Sequence, residues 1–114
     1  MENKIFTLHK TVTEADTAAH VGSGSLPVLA TPVLIAWMEA AACGCCAGLM
    51  EEGTTSVGTE MNMRHTAASP VGMKVTVTAE LTAGGGRILS FKVYAEDTAG
   101  AIGEGSHTRA LIRA

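Results

Sequence analysis

Residues 33–50 read VLIAWMEAAACGCCAGLM, eighteen positions of which one, Glu39, carries a charge. A run of that length and apolarity is enough to suggest a membrane-spanning helix. Three features favour a helix buried inside a soluble fold instead. Glu39 stands mid-run, the segment is built from Ala, Cys and Gly more than from Leu and Ile, and the chain beyond it alternates as amphipathic strands do. Thr31 is placed to cap such a helix, with Pro32 at its first position, where the missing N–H costs no hydrogen bond. Glu51, Glu52 and Gly53 mark its expected end. Gly44 and Gly48, one turn apart on one face, predict a close approach by a sheet or a partner helix.

After the helix the period changes to two. Residues 74–82, KVTVTAELT, put Val75, Val77, Ala79 and Leu81 on one face and Lys74, Thr76, Thr78 and Glu80 on the other. A glycine-rich turn at 83–86 leads to a strand with Leu89, Phe91, Val93 and Ala95 on one side. The turn DTAG at 97–100 leads to another over 101–113, where Gly103 and Gly105 predict a bulge or a close backbone approach. Strands are also expected at 4–12 and 56–65. No second helical pattern is available for a parallel crossover, so the sheet is expected to be antiparallel and curled around the helix.

The 114 residues fit a single domain spanning 1–114. A net charge of −3 removes the basic field that nucleic-acid binding draws on. Aromatic residues are 4% of the chain, too few for a base-stacking platform. Cys43, Cys45 and Cys46 have no distant partner to close a loop, which indicates a reducing compartment; they also lack metal-ligand spacing, and packing into the core is expected. The opening MENKIFTLHK has neither the basic flank nor the apolar run of a signal peptide. A cytoplasmic protein is expected, without metal and without a membrane or nucleic-acid partner.

Between Asp16 and Glu51 lie 34 residues in which Glu39 is the only formal charge. A buried carboxylate must pair, bind metal or take up a proton. Glu39 is therefore a candidate general base or nucleophile, expected to have its pKa raised by burial; the alternative is a helix-edge residue that reaches solvent. Thr31 lies eight residues before it, and His65 follows 26 after it at a strand end. His9, His20 and His107 are read as surface residues. Eight helical residues advance roughly 12 Å, so Thr31 and Glu39 of one straight helix cannot touch. Either His65 and a substrate bridge them, or two chains assemble the site, one giving the helix start and the other Glu39. The second arrangement also accounts for the apolar helix as part of an oligomer contact. A helix N-terminus suits the oxygen of a polarised carbonyl, a carboxylate can activate water and an imidazole can carry protons, which together make acyl-transfer equipment.

The segments LATPVLIAWMEAAA, VGTEMNMRHTAASPVGMKVTVTAEL and GAIGEGSHTRALI resemble the fluoroacetyl-CoA thioesterase-like branch of hotdog-fold acyl-CoA thioesterases, over most of residues 26–113. The resemblance implies an α+β hotdog fold, a curled antiparallel sheet wrapped around one long helix, and hydrolysis of an acyl-CoA thioester. It places the catalytic Thr, Glu and His of that family on Thr31, Glu39 and His65, with Thr31 acting as nucleophile or as a hydroxyl that positions the carbonyl. It further implies that Arg109 lies near the substrate or the CoA phosphates, and that Gly72 permits close backbone approach. CoA would enter as part of the substrate, with no other cofactor. A homodimer with the site at the subunit interface is expected, and pairing into tetramers is left open.

The loop AAHVGSGSLPVLA before the helix has no aromatic residue to recognise a halogenated acyl group, so a small-to-medium acyl group is the expectation. Met61, Met63 and Met73 are read either as lining for an acyl pocket or as core filling. Two other functions remain in view. A hotdog hydratase or dehydratase would act on an enoyl thioester, though no Asp lies near His65 to complete the usual pair. A non-catalytic module would bind acyl-CoA without turning it over.

Overall fold

The computed structural model describes residues 4–114. Its order is β1 (Ile5–Thr11), a 3-10 turn (Glu14–Asp16), α1 (Ala18–Val21), α2 (Thr31–Cys46), β2 (Thr54–His65), β3 (Lys74–Ala83), β4 (Ile88–Asp97) and β5 (Gly100–Arg113). The strands form one antiparallel sheet in the order β1-β3-β4-β5-β2. The α+β arrangement expected from the alternating patterns is the one observed.

The buried residues of α2 are Leu34, Trp37, Met38, Ala41, Ala42, Cys45 and Cys46, a stripe at helical spacing. It packs on Val75, Val77, Ala79 and Leu81 of β3 and Leu89, Phe91, Val93 and Ala95 of β4, the faces that the alternation predicts. Met61, Met63 and Met73 are half-buried against the same core, where they act as filling. The opposite side of α2 carries the exposed Pro32, Ala36, Ala40 and Cys43, so Cys43 does not join its neighbours in the core.

The helix departs from expectation at both ends. Ala30, not Thr31, is the N-cap, and no side chain caps the start; the Thr31 hydroxyl has another partner. At the other end α2 stops at Cys46, before Glu51. Gly44 receives the ring of Phe6 from β1 where a Cβ would stand, and Gly48 lies beside the Lys4 ammonium. The close approach is therefore made by side chains next to the sheet edge rather than by a backbone. Gly103 and Gly105 do sit against backbone, that of β2 at Arg64, Asn62 and Met63.

Two loop segments fix the start of α2. The Leu29 N–H donates to the Ser69 carbonyl at 2.8 Å, and the Ala30 N–H donates to the Asp16 carbonyl at 2.9 Å. The Ser69 hydroxyl donates to Asp97 at 2.7 Å, tying the segment after β2 to the end of β4. These buried bonds bring the first turn of α2 beside the last residue of β2. No helix among the described residues is long and apolar enough to cross a membrane.

Candidate active site

Four of the five candidate residues fall into two clusters, with Gly72 apart from both. In the first, Thr31 Oγ1 lies 2.8 Å from His65 Nδ1, joining the exposed first turn of α2 to the end of β2. Beside this pair is a cavity of about 360 Å³, lined by Ala18, Ser23, Val28, Leu29, Thr66 and Ala68 among others. The other ring nitrogen, His65 Nε2, is buried and has no hydrogen-bond partner among the described residues. Leaving such an atom unpaired costs about 1–3 kcal/mol. Burial pushes the His65 pKa down from its ordinary value, opposed by the Ala67 backbone. The ring is therefore neutral near pH 7, able to accept a proton.

The second cluster surrounds Glu39. Its carboxylate is not enclosed: 42% of the side chain is exposed, and Oε2 lies 3.6 Å from Arg109 NH1. This corrects the expectation of a buried carboxylate. Glu39 sits at the margin of α2 facing the edge strand β2, where a cation is at hand and water is not excluded. Gly58 makes room for it, since a Cβ there would collide with Glu39 Oε2 and would stand 3.3 Å from both Arg109 NH1 and His107 Cε1. Gly58 is paired with Arg109 across the β2–β5 ladder, immediately before a bulge at 58–60.

Arg109 is also corrected in part. It is 6% exposed and committed to protein: Nε donates to Ser56 Oγ at 2.9 Å, NH2 to the Ser56 carbonyl at 3.2 Å, and NH1 lies 3.1 Å from His107 Nε2. A guanidinium held this way is fixed by the protein and faces Glu39. His107, read as a surface residue, is 2% exposed. The signal that could have found it is its i, i+2 spacing from Arg109 on one strand face, which makes the two neighbours.

Gly72 belongs to neither cluster. Its φ of +92° makes it a turn glycine, and a Cβ there would meet nothing within 4 Å, so the expected close approach is absent. Among the described residues, no three His, Cys, Asp or Glu side chains gather in metal-holding geometry.

The two clusters ride on one helix, with Thr31 in its first turn and Glu39 beyond its middle, roughly 12 Å apart along the axis. The hydroxyl–imidazole pair opens on a cavity, whereas the carboxylate lies half-exposed over Gly58 of β2, and no hydrogen bond among the described residues joins the two.

Comparison with known proteins places this geometry in context. A curated fluoroacetyl-CoA thioesterase from Streptantibioticus cattleyicolor is 46% identical over 85 residues, 75% of this chain. The match spans about three fifths of that relative's length, 61%. The crystal structure of a single-substitution variant of the fluoroacetyl-CoA-specific thioesterase FlK, in complex with fluoroacetate and CoA, superposes with a TM-score of 0.92. It is 37% identical and covers 99% of this chain and 95% of that one. A hot-dog-like protein from Thermanaerovibrio acidaminovorans, 21% identical, superposes with a TM-score of 0.88 over 97% of this chain and 82% of its own, which shows the shared fold. The family model described as FlK, fluoroacetyl-CoA-specific thioesterase, matches residues 12–114, and the chain belongs to that family.

Proposed function

We propose that the chain hydrolyses the thioester of an acyl-CoA with a small-to-medium acyl group, at a site completed by two copies of itself. One copy gives Thr31, His65 and the start of α2; the other gives Glu39. The observation that carries this reading is the 2.8 Å Thr31–His65 contact at a helix start beside a cavity, with His65 Nε2 buried and unpaired. Family membership and the likeness to a CoA-bound relative support the thioester as the bond attacked.

In this reading the substrate carbonyl oxygen faces the N-terminal turn of α2, whose dipole stabilises developing negative charge. The carboxylate of Glu39 takes a proton from water or, through His65, from Thr31. The oxygen so activated bonds to the carbonyl carbon, the C–S bond breaks, and CoA leaves as the thiol once a proton returns to sulfur. If Thr31 is the attacking oxygen, water hydrolyses the resulting ester in a second step. The loop before α2 has no aromatic side chain at the cavity, and Ser23 and Ala18 line it instead, which supports a small-to-medium acyl group with no phenyl ring to select a fluorinated one.

A panel of acyl-CoA esters assayed for thiol release tests the activity. Wild type is expected to turn over, and Glu39→Ala to lose turnover while staying folded; full activity in that variant would overturn the reading. Tight binding of CoA esters without turnover at any acyl length would indicate a binding module. Hydration of an enoyl-CoA without thiol release would indicate a hydratase. The two-copy assembly has its own test: His65→Ala and Glu39→Ala chains refolded together in equal amounts are expected to regain about a quarter of wild-type activity. Mixing that restores nothing would place the whole site in one chain.

A further inference from the structure

Every polar atom of His107 is engaged, and in one order. Its Nδ1 lies 2.7 Å from the Glu60 carbonyl oxygen, which can only accept, so the ring proton is on Nδ1. The neutral ring then presents a lone pair at Nε2, into which Arg109 NH1 donates at 3.1 Å. The same NH1 faces Glu39 Oε2 at 3.6 Å. The rest of the guanidinium is pinned by Ser56, so the position of NH1 is set by Ser56 on one side and His107 on the other.

We propose that His107 is a positioning residue for the thioesterase reaction, a neutral acceptor that aims the Arg109 guanidinium at Glu39 and so sets the direction of the carboxylate. The proposal rests on the reading of Glu39 as the reacting acid group. Burial and the adjacent Arg109 cation push the His107 pKa down, whereas the Glu60 carbonyl and the Glu39 charge push it up; burial is the largest effect, which keeps Nε2 an acceptor. The Phe91 ring from β4 lies beside His107 at 6.1 Å between centroids, and the Cys46 thiol from α2, whose pKa burial pushes up, lies near enough to feel the Arg109 charge. A buried neutral imidazole has one donor and one acceptor to satisfy. This one connects the edge-strand backbone to the guanidinium and holds no other side chain.

The test compares His107→Phe, which fills the space without an acceptor, and His107→Gln, whose amide oxygen can accept from Arg109. Both are measured against wild type and Glu39→Ala, with thermal unfolding recorded for each. Expected for His107→Phe is a folded protein with kcat lower by roughly tenfold to a hundredfold and KM within about threefold, since misplacing a reacting group by an ångström costs on that order. His107→Gln is expected to recover most of kcat, and ring-nitrogen NMR of wild type to show the proton on Nδ1. If His107→Phe does not fold, His107→Met takes its place. A folded variant without an acceptor that keeps wild-type kcat, or a glutamine variant that rescues nothing, overturns the proposal. Full turnover in Glu39→Ala would fell the reading of the site first, and this inference with it.

Discussion

Replacing Gly58 with alanine tests the geometry of the carboxylate cluster most directly. The new Cβ would overlap Glu39 Oε2 and crowd Arg109 NH1 and His107 Cε1, both at 3.3 Å. The last two are held by Ser56 and by the Glu60 carbonyl, so the carboxylate, on a flexible stem, gives way. Restoring ordinary contact moves it by roughly an ångström or more. The cost to folding is small: about 0.5–1.5 kcal/mol for an off-rotamer side chain, offset by about 0.4–1 kcal/mol from the lower entropy of the unfolded alanine chain. Gly58 is not among the positive-φ glycines, so no backbone strain is added. Net stability is therefore expected to change by less than about 1 kcal/mol, a melting shift of at most about 4 °C. The same displacement at a reacting group costs on the order of a hundredfold in kcat. Steady-state thiol release and differential scanning calorimetry on one preparation separate the two effects. A folded Gly58→Ala enzyme with kcat within about twofold of wild type would show that Glu39 is not the reacting group, or that its direction is immaterial.

Two further outcomes follow from other parts of the molecule. Gly44→Ala sets a methyl into the Phe6 ring, and overpacking of that kind costs about 1–3 kcal/mol, read as a lower urea midpoint; Phe6→Leu in the same chain should relieve part of the loss. His65 and His107 both have pKa values lowered chiefly by burial, so the unfolded chain takes up protons before the folded one as pH falls. Their contribution to stability is complete above the unfolded value of about 6.5 and is lost as pH drops through the folded values. Urea midpoints between pH 8 and 5 should fall on the acid side, less steeply in His107→Gln; a flat profile would contradict the burial of the two rings.

Much of this is legible in the amino-acid sequence. Alternation named the inward faces of β3 and β4 residue by residue, because a strand with one buried face leaves no other pattern. Pro32 marked the start of α2, and the spacing of Thr31 from Glu39 along a rod excluded direct contact between them. What the chain did not reveal depends on distant pairings. His107 and Arg109 lie near a strand end rich in glycine and polar residues, and their burial depends on which face of β5 meets α2, a matter decided by register and by the bulge at 58–60. The exposure of Glu39 is likewise tertiary, settled where α2 meets Gly58 of β2. The Thr31 hydroxyl was expected to serve the helix backbone and instead serves an imidazole 34 residues away, a pairing set by the loop bonds at Leu29 and Ala30.

Helix α2 carries Thr31 in its first turn and Glu39 beyond its middle on a single rigid rod. Under the proposed pairing of two copies, an axial slide of that rod would withdraw one group as it advanced the other. Substrate seated at one centre would then restrain the play of its twin, with no hinge needed between them.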